Sequence, residues 1–172
     1  MAKSKIIVKT VKVNERYESF IKEISGEDAV KEDRLFKYQH MLMRFAATLG
    51  YRLKEKENLN EGKSYDMVIR RVIDQNQELT DHINMIALAD SKNKRILEAS
   101  STNEEINTDE RYKIYQEYLN GGLKLMSQWA NKPGYNYENI FEELRKRKIL
   151  NFPKEENLKP TEDNLEGEDP FA

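Results

Sequence analysis

Residues 35–49 read LFKYQHMLMRFAATL, and their apolar positions recur at helical intervals. Leu35, Leu42, Phe45, Ala46 and Leu49 share one face, which Phe36 and Met43 widen. A 3.6-residue apolar period marks an amphipathic helix with one side packed on a core. The pattern predicts a helix from about Glu32 to Leu49. Gly50 stands where a C-terminal stop belongs.

The same period returns on both sides. Tyr17, Phe20, Ile21 and Ile24 predict a helix from Asn14, stopped by Ser25-Gly26. Residues 52–64 are polar, contain Gly62 and read as a loop. Ser64 is placed to cap a helix carrying Met67, Val68, Val72 and Ile73. Leu79, Ile83, Ile86 and Ala87 predict a further helix or the second half of a bent one, since the polar run 74–77 separates them. Arg95 to Ala99 reads as one more turn. Ser100 to Thr108 reads as a loop. Thr108, Asp109 and Glu110 form a start signal, because acids in a first turn complement the helix dipole. The helix they open carries Tyr112, Tyr115, Leu119, Leu123, Met126 and Trp129, and Lys132-Pro133-Gly134 ends it. Asn136 can cap a last helix with Ile140, Phe141 and Leu144 inside.

The two ends read differently. Ile6, Ile7, Val8, Val11 and Val13 stand among lysines, and β-branched residues favour an extended segment. After Phe152-Pro153 the chain has no apolar period, which predicts disorder. The expected architecture is all-α. A single compact helical domain of five or six helices covers 13–150, an extended arm covers 1–12, and a disordered acidic tail covers 151–172.

Composition narrows the function classes. The 172 residues suit one domain with a real core. No cysteine is present, so disulfides and thiolate metal or redox sites are excluded. No stretch reaches the roughly 20 apolar residues that span a bilayer, and only three apolar residues follow the basic N-terminus, so the expectation is a cytoplasmic protein without a membrane partner. Lys and Arg number 29 against 31 Asp and Glu. Seven acids against Lys154 and Lys159 put residues 151–172 at −5 and the rest at +3, too little for a dedicated nucleic-acid binder.

No constellation carries catalysis. His40 and His82 fall on different helices. Glu78 and Asp81 lie near His82, but a metal site would need further ligands from the fold, and the simpler reading is a surface or half-buried histidine. Ser19, Ser64 and Ser127 lie in helical contexts, outside any GxSxG turn, and no glycine-rich phosphate loop is present. The expectation is a non-enzyme without cofactor or metal. Two basic groups, Arg70-Arg71 and Arg145-Lys146-Arg147-Lys148, are candidate phosphate contacts. Their plainer reading is solvated helix charge, the second group complementing its own helix end. Tyr112, Tyr115, Tyr118 and Trp129 could stack bases, but at helical spacing they read first as core and its rim.

Asn120, Gly121 and Gly122 are the third candidate site. The apolar period runs through both glycines, which together cost about 2 kcal/mol against alanines in a helix. A close backbone approach, by another helix or a partner, would offset that; the rival explanation is a break with positive φ.

Two stretches carry a family resemblance. FKYQHMLMRFAATLGY at 36–51 and YLNGGLKLMSQWANKPG at 118–134, with Asn120-Gly121-Gly122-Leu123 the most specific part, resemble small bacterial proteins associated with dnd clusters. Those gene sets perform DNA phosphorothioation and the linked restriction of foreign DNA. The resemblance implies a defence context and supplies no catalytic residues. It suggests an accessory subunit that binds a larger protein, with DNA as the alternative partner.

Overall fold

A computed structural model describes residues 10–26, 34–60, 63–97, 104–130 and 136–149. Strand β1 covers Thr10–Asn14, and after a 3-10 turn at Glu15–Tyr17 helix α1 covers Glu18–Ile24. Helix α2 is Gln39–Leu53, strand β2 Ser64–Ile69, helix α3 Arg70–Asp74 and helix α4 Gln77–Ser91. A 3-10 turn at Lys94–Leu97 precedes α5, Glu104–Ala130, and α6, Tyr137–Lys146.

The long helix α5 is the centre. It packs against α2 most extensively, and also against α4, α6 and β1. Its buried Tyr115, Leu119, Leu123 and Met126 meet a core that includes Leu42, Met43, Ala46 and Ala47 of α2. Asparagine caps two of the helices, α4 and α6. The Asn76 side chain accepts the Leu79 N–H at 3.3 Å, and that of Asn136 accepts the Glu138 N–H at 2.9 Å.

The all-α expectation needs correction: the protein is mostly helical but contains a small sheet. Ser64 does not cap a helix. Residues 64–69 pair antiparallel with β1, Thr10 opposite Ile69 and Asn14 opposite Ser64, with a register shift between Val11 and Lys12. Met67, Val68, Val72 and Ile73 satisfy a helical period, but β-branched Val11 and Val13 supply a partner strand and win the first half. The helix begins only at Arg70.

Four boundaries move as well. The first helix, expected from Asn14, begins at Glu18, because residues 10–14 are taken by strand β1 and 15–17 by a 3-10 turn. The second expected helix starts at Gln39 rather than near Glu32. Gly50 is no stop: α2 runs through it to Leu53 and ends on Lys54 at φ 58°. Helix α5 begins at Glu104, inside the expected loop. The expected disordered tail and the first nine residues of the arm lie outside the described residues.

Candidate functional site

Glycines build the seam between α2 and α5. Neither Gly121 nor Gly122 has a positive φ, and α5 is continuous through them. A Cβ on Gly122 would overlap the Ala46 carbonyl oxygen of α2. One on Gly121 would overlap the carbonyl of Glu55, and one on Gly50 that of Tyr118. Each helix therefore presents bare backbone to the other.

Asn120, beside that seam, is fully buried. Its Oδ1 accepts the backbone N–H of Asn14 at 2.8 Å, and its Nδ2 donates to the Gln116 carbonyl at 2.8 Å. One helical turn earlier, Gln116 Oε1 accepts the N–H of Lys12 at 2.6 Å. Two amide side chains thus cover the edge of β1 that faces away from β2. The Asn14 side chain reaches the other way. It donates to Glu57 and to the Asn58 carbonyl, and accepts the Asn60 N–H at 2.7 Å. Glu57 also takes the Tyr17 hydroxyl at 2.7 Å and pairs with Arg16. Burial, then the hydrogen bond to Glu57, drive the Tyr17 phenol well above its ordinary value. The whole network ties β1, the 54–60 segment and α5 together.

A second polar cluster centres on His82. The Thr48 hydroxyl donates to the Arg44 carbonyl at 2.8 Å, so its oxygen accepts from His82 Nε2–H at 3.0 Å. His82 Nδ1 is then the acceptor for the buried Tyr115 hydroxyl, also at 3.0 Å. Burial, reinforced by the Arg44 charge, lowers the histidine to about 4. It is a neutral imidazole with both ring nitrogens engaged. Glu78 pairs with Arg44 at 2.9 Å and Asp81 accepts from Gln77 at 2.8 Å, so the carboxylates near His82 are turned to other partners. Among the described residues no group of three or more His, Asp or Glu is placed to hold a metal.

A third cluster joins α4 to α5. Lys56 pairs with Asp90 at 2.8 Å and lies over the Tyr118 ring, whose hydroxyl donates to Asp90 at 2.5 Å. Burial opposes ionisation of Asp90, but Lys56 and Tyr118 outweigh it and hold its carboxyl below the ordinary range. The tyrosines weighed as a stacking platform serve the interior: Tyr115 and Tyr118 are buried, while Tyr112 and Trp129 pack against the core from its rim.

The structure does not gather the basic residues into one element group. Arg70 and Arg71 open α3, which packs on β2 and α4. Arg145 and Lys146 close α6, which packs on α5, and Arg147 and Lys148 follow it. Arg71 and all four of 145–148 are exposed. Lys146 and Arg147 both contact Glu143, at 2.9 and 3.5 Å, and the Arg147 guanidinium lies 5.3 Å from the centre of the Trp129 ring.

One surface feature was also missed in the sequence. A groove of about 360 Å³ opens between β2 and the start of α2, lined by Tyr38, His40, Met67, Val68, Ile69 and Val72. Ile69 is 50% exposed and Val72 38%. The available signal was that Val68 and Ile69 are adjacent, so a strand must turn one of them outward.

One comparison identifies a family. The family model described as DNA sulphur modification system-associated protein 4 matches residues 10–162. No curated protein and no solved structure matches the chain.

Proposed function

The chain belongs to the family of DNA sulphur modification system-associated protein 4, and from that premise we propose that it is a non-catalytic accessory subunit of such a system, acting by binding a larger protein. The family match across residues 10–162 carries the reading. The polar clusters support it. Glu57, His82 and Asp90 are each engaged by neighbours that connect elements of the fold, which is the work of a scaffold. Among the described residues no helix is long and apolar enough to cross a membrane. The cytoplasm, where the modified DNA lies, is the compartment this role requires.

The test is affinity purification from a host expressing the whole gene neighbourhood. A stoichiometric complex with a larger product of that neighbourhood is expected. Recovery of the chain alone at low salt would refute the subunit reading.

A second reading is direct DNA binding. The exposed run Arg145–Lys148 at the end of α6 favours it, with Arg71 as a further cation. Phosphate contacts make affinity fall steeply with salt. A titration with duplex DNA at two salt concentrations decides: no binding at the lower one removes this reading.

A further inference from the structure

We infer that the groove between β2 and α2 receives the chain's own acidic C-terminal segment, residues 162–172. The groove offers an apolar wall, formed by half-exposed Ile69 and partly exposed Val72 beside Met67 and Val68. Two cations stand next to lining residues. The Lys37 ammonium lies 5.1 Å from the centre of the Tyr38 ring, and exposed Arg71 adjoins Val72. Asp66, the acid next to Met67, is already engaged by Thr10 and Lys12.

The C-terminal segment has the complementary chemistry. After Lys159 it contains Glu162, Asp163, Glu166, Glu168 and Asp169, no cation, and the large apolar residues Leu165 and Phe171. Reach is ample. The 22 residues from Ile149 to Phe171 span roughly 70 Å when extended, against a radius of gyration of about 14 Å for a domain of about 140 residues.

A single-stranded nucleic acid is a poorer occupant. It would need open aromatic faces. Tyr38 is already stacked with His40, at 5.3 Å between centres and 10° between planes, and Lys37 lies over it. The remaining walls are mostly aliphatic and suit a leucine or phenylalanine side chain.

The chain contains no cysteine, so Ala172→Cys gives a unique attachment point for a nitroxide on the full-length protein. Amide resonances of Met67–Ile69 and Tyr38–His40 are expected to lose most of their intensity, while those of Arg145–Lys148 and Met85 keep theirs. Ile69→Glu should abolish the groove broadening and leave the rest of the spectrum in place, since that side chain is half exposed. Uniform intensities, or losses centred on residues 145–148, would overturn the inference. Losses that persist when spin-labelled chains are mixed with isotope-labelled, label-free ones would assign the groove to a second copy and overturn it too. So would groove amides that shift with a single-stranded oligonucleotide but ignore the nitroxide.

Discussion

Asn120 on α5 accepts the backbone N–H of Asn14 on β1 at 2.8 Å, joining positions 106 residues apart. The bond is buried, so removing the acceptor leaves an N–H with neither protein nor water. Asn120→Ala is expected to lower unfolding stability by about 2–3 kcal/mol. Gln116→Ala, whose bond to the Lys12 N–H is only partly buried, should lose about 1 kcal/mol. Urea denaturation of the two variants checks the ranking; equal losses would show that burial of the Asn14 bond is not what matters.

Gly122→Ala tests the helix seam. Propensity alone favours alanine by about 1 kcal/mol. The new Cβ would meet the Ala46 carbonyl, which α2 cannot move without displacing its neighbours. The expected net result is destabilisation by about 2–3 kcal/mol, read from the shift in denaturation midpoint. A gain in stability would mean that the two helices are not in backbone contact.

Acid should unfold the protein partly through His82. Its folded value, about 4, lies below the ordinary 6.5, so the unfolded chain binds the proton first. The contribution is complete above about pH 6.5 and is lost as pH falls towards 4. Partial exposure of the ring screens the effect, which leaves about 1–2 kcal/mol. The difference between wild-type and His82→Gln stability across this window isolates it from the carboxylates. A constant difference would contradict the proposed protonation state.

Trp129 is the chain's one tryptophan, and Arg147 lies against it. Arg147→Ala should change its fluorescence intensity while altering stability by only about 0.5–1 kcal/mol. Unchanged emission would place the guanidinium elsewhere in solution. DNA that bound through residues 145–148 would alter the same signal, so one fluorophore also reports on the second functional reading.

Helix faces were legible in the sequence because burial has a period there. Leu42, Ala46 and Leu49 on α2, and Tyr115, Leu119, Leu123 and Met126 on α5, are all buried. The sheet was not, because Met67, Val68, Val72 and Ile73 fit a helical period and only the distant Val11 and Val13 decide otherwise. Gly50 misled for a related reason. A glycine near a pattern's end resembles a cap, and only the partner helix reveals that it clears space for the Tyr118 carbonyl. The polar networks were invisible. Asn120 to Asn14 and His82 to Tyr115 are contacts between elements, and no local spacing encodes them.

The bond between Asn14 and Asn120 also sets a timetable for the newborn chain. The β1 strand leaves the ribosome early, yet the helix whose amides cover its outer edge follows about a hundred residues later. At about 5–20 residues per second, that edge stays open for about 5–20 s. During translation the valines of β1 are therefore available to other strands, to aggregation and to chaperones. Slowing synthesis between β2 and α5 should lower the soluble yield, even though the finished protein would be unchanged.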